Sequence, residues 1–255
     1  SMRKFIILLR HQIWQMAISP STYFAAFLFL CFMAVAFLLA LHDTSLIPEK
    51  QSPVEKFLGV FWVPVLFMVP LLTMRSLSDE LRRGTLGGLM STAVSAWQIV
   101  LSKFLACYGF YVLIWLLTLV YLGIACVYIP HATPRDLFEP VQLATGYGFV
   151  FLSGAMYVAV GIFASSLTRT TLVAGMLSFG MLFFFIVGSA MAGSLPMSDD
   201  SLSRIVSRLS GHLHTFRQLD DFNNSLVDTR AFFFYISSAA VFLAWTSLIT
   251  ESKNR

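Results

Sequence analysis

Charge is what this chain has least of: 12% of its 255 residues are Asp, Glu, Lys or Arg, against 57% hydrophobic. A soluble domain devotes about a quarter of its residues to charge, so a water-exposed globule is excluded. Cysteine is limited to Cys31, Cys107 and Cys126, each inside an apolar run and none in a C-x-x-C pair. That excludes a disulfide scaffold and a cysteine-based zinc site, and leaves three small hydrophobes. There is no G-x-x-x-x-G-K-[ST] and no Gly followed by Lys, so the chain lacks a P-loop phosphate cradle. Any ATP-driven work would need a separate subunit to bind the nucleotide. The apolar runs themselves carry no acid or base. Ion-coupled carriers usually keep such groups at membrane depth, which weighs against a secondary transporter. Ser, Cys and His never meet at a catalytic spacing, which weighs against an intramembrane enzyme.

What is present is oil, with 25 Phe and a mean hydropathy of +0.77. The expected fold class is an all-α polytopic membrane protein, a single transmembrane domain over 1–255. Six transmembrane helices are expected at about 23–41, 57–74, 104–129, 141–165, 172–192 and 231–249. The first run, at ~1.5 Å per residue, covers ~28 Å of hydrocarbon. Pro64 and Pro70 fall in the second and predict a kink. The fourth is rich in small residues, among them Gly146, Gly154, Ala159 and Gly161, which predicts close helix packing. Ser1 ahead of Met2 reads as a residue left by tag removal, and the first apolar run is too long for a cleavable signal peptide. Arg3, Lys4 and Arg10 alternate with Trp14 and a set of aliphatic residues, so an N-terminal helix lying in the membrane interface is expected.

Ten Lys or Arg fall in the segments 1–22, 75–103, 166–171 and 250–255, against Lys50, Lys56 and Arg135 in the short loops between. By the positive-inside rule both termini are cytoplasmic. The net charge of +4 is largely this asymmetry, and no nucleic-acid partner follows from it. The segment 193–230 becomes a long exterior loop. Within it Leu202, Ile205, Val206 and Leu209 recur at helical spacing after Asp199, predicting an amphipathic helix with affinity for an extracytoplasmic partner. His212 and His214 have no further ligand beside them and read as solvated loop histidines.

One stretch does not fit a bland loop. Residues 75–103 read RSLSDELRRGTLGGLMSTAVSAWQIVLSK, charged and glycine-punctuated between two apolar runs. Ser76 to Asp79 has capping-box spacing, and short helices hinged at Gly84 or Gly87-Gly88 are expected. Glu80, Arg82, Gly84, Thr85, Leu86, Leu89, Val94, Ser95, Ile99, Val100 and Lys103 together resemble the first cytoplasmic loop of type-2 ABC transporter permeases. Gly87 and Ala93 stand where those permeases often carry Glu and Pro. Leu209, Ser210, Phe216, Phe222, Leu226, Val227, Asp228 and Arg230 resemble the last exterior loop of the gliding-motility and copper-reductase-maturation permeases in particular.

The resemblance implies a membrane subunit of a type-2 exporter in a bacterial cytoplasmic membrane. It implies a coupling helix between spans two and three that docks on an ABC ATPase subunit through Asp79, Glu80, Arg82, Arg83, Gly84, Thr85, Leu86 and Leu89. A lesser contact is implied at Arg169. No cofactor is expected on this chain, ATP and Mg being bound by the ATPase. A second permease copy or a related permease would complete a dimer. A non-ABC membrane anchor shares the composition and is separated only by these two loops.

Overall fold

In a bilayer no water meets a bare backbone N–H or C=O, so apolar segments satisfy their hydrogen bonds internally as helices. The computed structural model describes residues 2–46, 53–84, 95–128, 140–188 and 229–253, and every element among them is helical. In chain order these are α1 (Met2–Ile18), α2 (Pro20–Leu46), α3 (Pro53–Gly59), α4 (Trp62–Thr73), α5 (Ser78–Arg83), α6 (Ala96–Leu117), α7 (Leu119–Tyr128), α8 (Pro140–Leu167), α9 (Thr171–Phe183), a π-helical turn (Phe184–Gly188) and α10 (Thr229–Ser252). The expected exterior helix after Asp199, His212 and His214 lie outside the described residues.

Among the described residues, five stretches are long and apolar enough to cross a membrane: Pro20–His42, Ala96–Ile124, Pro140–Leu167, Thr171–Gly188 and Phe232–Ser252. The run expected to be the second span is not one helix. It divides into α3 and α4, joined through 3₁₀-like bonds from Phe61 N to Leu58 O and from Val63 N to Val60 O. At ~1.5 Å per residue α4 alone rises ~18 Å, well short of a ~30 Å hydrocarbon core. Pro64 falls in its first turn, where an N–H has no intrahelical acceptor. Pro70 lies in its interior, so one rung of the ladder is absent there.

α8 is the axis of the bundle and touches α3, α4, α5, α6, α9 and α10. Its most apolar window is 72% buried, against 22–39% for the other candidate spans, so the small residues do serve packing. Two of them admit a neighbour's side chain where a Cβ would otherwise stand. A Cβ on Gly154 would lie 2.2 Å from the Tyr111 ring, and one on Gly161 would lie 2.3 Å from the Thr73 hydroxyl oxygen. Tyr111 is itself tied down, its hydroxyl donating to Val150 O at 3.2 Å. Around this axis Trp115 is fully buried, with Phe29 edge-on at 5.0 Å and Tyr147 edge-on at 6.0 Å. Phe149 bridges Phe61 and Tyr235 in the same manner.

α1 turns Leu8, His11, Gln12, Gln15 and Met16 to a cavity against the bundle, with Gln12 buried, and leaves Ile6, Ile7, Ile13, Trp14 and Ile18 exposed. Such an outward apolar face suits an interfacial helix. Lys4 and Arg10 are exposed with it; the Arg3 side chain is outside the described set. Pro20 stands at the first helical position of α2, where its missing N–H costs nothing, and so separates α2 from α1.

Replacing Gly154 by Ala should destabilise the chain by about 1–3 kcal/mol through overpacking against Tyr111. Gly148→Ala, where nothing lies within 4 Å of the new Cβ, should leave stability unchanged or slightly raised. Thermal unfolding in detergent micelles checks the pair; equal midpoints for the two variants would contradict the packing described.

Candidate functional site

The charged segment after α4 is held by groups remote in sequence. α4 closes at Thr73, a turn follows, and α5 begins at Ser78. The capping box expected at Ser76–Asp79 does not form. Leu77 occupies the N-cap without a side-chain bond, and the Ser76 hydroxyl has no hydrogen-bond partner. The donors at this end go instead to Ser165 of α8, whose Oγ accepts from Leu77 N and Ser78 N, both at 3.1 Å. The Ser165 hydroxyl donates in turn to Met74 O at 3.2 Å, so one buried side chain staples the turn to the bundle axis. The capping box appears further on, at Ser95 and Gln98, and starts α6. α5 stops after six residues because Gly84 adopts φ +67°, a left-handed conformation that glycine enters at little cost.

The second anchor is Lys103. The third span was expected to begin at Phe104, but α6 starts at Ala96 and takes Lys103 into its second turn, 3% exposed. The expectation that the apolar spans hold no ionisable group therefore fails at this residue. Its ammonium donates to Glu80 Oε1 at 2.7 Å, to Ser76 O at 2.5 Å and to Gln12 Oε1 at 3.4 Å. An ammonium has three donors, and all three are met. One side chain so joins α1, the α4–α5 turn, α5 and α6. This satisfied geometry is that of a structural ion pair rather than of a group that loads and releases an ion.

The outer surface of α5 is charged and open. Arg75, Arg82, Arg83 and Gly84 are exposed, and the half-buried Asp79 lies 3.5 Å from the exposed Arg82. Among the predicted residues, Asp79, Glu80, Arg82, Arg83 and Gly84 thus fall on one short element, of which Glu80 faces inward. Thr85, Leu86 and Leu89 lie outside the described residues. Arg169 is exposed in the turn after α8, four residues beyond the Ser165 staple, so it belongs to the same end of the molecule.

That end is closed by Lys253, which donates to Ser166 O at 2.7 Å and to Leu167 O at 3.2 Å and so meets the last carbonyls of α8. Partial burial, and then the nearby Arg169 guanidinium, lower its pKa from the usual lysine value. Because the folded chain holds this proton less tightly than the unfolded one, its contribution to stability rises with pH between the lowered and the ordinary values.

Gln12, Ser165 and Lys253 were not legible as site residues. Their partners lie 86 to 91 residues away in sequence, and a lone serine or glutamine has no periodic signature.

Glu80→Ala would leave a buried ammonium short of its anion and should cost roughly 3–5 kcal/mol. Glu80→Ala with Lys103→Met should cost less than the sum of the two single changes; additive losses in chemical unfolding would refute the pairing. Ser165→Ala removes the acceptor of two N–H groups and should cost roughly 1–3 kcal/mol.

The architecture can be set beside known proteins. No match is found among curated proteins. The family described as ABC-2 family transporter protein matches residues 39–217, more than half of the chain and a range that contains the Ser165 staple, Lys103 with its partners Ser76 and Glu80, and three of the five candidate spans. The chain therefore belongs to the ABC-2 transporter family, as a multi-pass membrane permease component of an ABC transporter.

Proposed function

We propose that this permease receives the stroke of a separate ATPase subunit through α5 and the residues that follow it, and passes that stroke to α4, α6 and α8. The observation that carries the reading is the Lys103 node. A charged element that merely obeyed a topology rule would have no need of a buried cation satisfied by three acceptors. Here a push on α5 is resisted at once by α1, α6 and, through Ser165, the bundle axis. Arg82, Arg83 and Gly84 stand outside this lock and are free to meet an ATPase groove, where exposed charge sets register and encounter rate. Arg169 supplies a neighbouring contact. ATP and Mg are held by the ATPase; this chain contributes the membrane path.

On this reading α3 and α4 together make the sixth crossing, both termini are cytoplasmic, and the complex sits in a bacterial cytoplasmic membrane. Two permeases assemble, the outward apolar residues of α2 and α9, among them Phe27, Leu38, Met176 and Phe184, offering surface for a second copy as well as for lipid. Export or extracytoplasmic work of the gliding-motility and copper-maturation kind is the family resemblance closest in motif, with residues 193–230 reaching an exterior partner.

Arg82→Glu changes one exposed charge that does not line the cavity beside α5. It should reduce co-purification of the ATPase and permease-stimulated ATP hydrolysis by about tenfold or more, since like charges facing each other across an interface cost several kcal/mol. Wild-type levels of both would sink the coupling assignment.

A further inference from the structure

A polar cavity of about 480 Å³ lies between α1, the start of α2, α5 and α6. Its charged wall is mixed in sign. Arg75 and Arg83 line it and have no ion pair among the described residues, while Lys103 is consumed by Glu80. On the acidic side Glu80 Oε2, Asp79 Oδ1 and the Ser76 hydroxyl are buried atoms with no hydrogen bond, although Asp79 Oδ1 is within ion-pair range of Arg82. Buried carboxylate oxygens rarely stay without a donor. Glu80 and Arg83 are three residues apart on one helix, so their side chains are neighbours. The site therefore sets an anion acceptor next to a cation donor. From α1 it adds His11, Gln12 and Gln15, and its deeper wall is apolar, with Leu72, Ala106 and Cys107.

We infer that this cavity binds the headgroup of a zwitterionic aminophospholipid, the phosphate on Arg75 and Arg83 and the primary ammonium on the carboxylates of Asp79 and Glu80. The two-carbon link between phosphate and ammonium in such a headgroup matches charges of opposite sign one helical turn apart. A bilayer source is favoured over a soluble one by α1, which forms one wall and turns Ile6, Ile7, Ile13 and Trp14 outward, an apolar face that places the cavity beside acyl chains. A trimethylammonium headgroup has no N–H to give the carboxylates, and a glycerol headgroup has no cation. This inference does not depend on the ATPase assignment, because the site is formed by the permease alone.

The test is native mass spectrometry of the purified full chain, exchanged into mixed micelles with equal amounts of dioleoyl phosphatidylethanolamine, phosphatidylcholine and phosphatidylglycerol. The expected result is retention of phosphatidylethanolamine about tenfold over phosphatidylcholine, equivalent to about 1.4 kcal/mol. Asp79→Asn combined with Glu80→Gln should erase that preference, and Arg75→Gln should weaken retention of all three lipids. Asp79→Asn alone, at a partly exposed position, should lower the preference in a chain whose fold is intact by thermal unfolding. Equal retention of the three lipids by the wild type, or a preference untouched by the carboxylate changes, would overturn the inference. Saturation by free phosphoethanolamine at the concentration effective for the lipid would overturn the bilayer source.

Discussion

A lysine ammonium removed from water must find anionic or carbonyl company, and that requirement organises one whole end of this permease. Desolvating such an ion costs several kcal/mol even after relaxation. The Lys103 site offsets this only by gathering Gln12 from α1 and both Ser76 O and Glu80 from the turn into α5. Along the bundle, single hydroxyls such as those of Tyr111 and Tyr121 each tie one helix to one neighbour's carbonyl. The bonds at Lys103, Ser165 and Lys253 gather several segments at once and fix which helix end meets which.

The same division explains what could be read from sequence. Spans announced by uninterrupted apolar residues, such as those that became α2, α8 and α10, were legible because the cost of exposing backbone in lipid leaves a long run no alternative to helix. The helix α1 was legible as a helix with exposed Lys4, Arg10 and Trp14. The break between α3 and α4 was harder, since the two prolines suggested a kink rather than a division at residues 60–61. α6 begins eight residues before the apolar run expected as the third span, opened by the reciprocal Ser95–Gln98 bonds. That Ser-x-x-Gln signal was present in the sequence.

The candidate site divides along a different line. Its location between two apolar segments and its exposed arginines followed from residue order alone. Its anchoring did not, because Ser76 and Asp79 imitate a local cap while the true acceptor, Ser165, arrives from α8. Lys103 appeared to be a topological charge at a span's edge, and only the three-dimensional partners show it to be enclosed. Local rules identify which residues are unusual; they cannot say which distant residue satisfies them.

The close fit at Gly154 and Gly161 bears on how such a bundle can move. With the Tyr111 ring seated over one glycine and the Thr73 side chain over the other, α8 works like a toothed rail against α6 and α4. Sliding by a fraction of a turn would drive a β-carbon-bearing neighbour into a side chain now accommodated by hydrogen alone. Relative displacement of these helices is therefore stepped, a jump from one set of notches to the next, in keeping with the bistable behaviour of packed interiors.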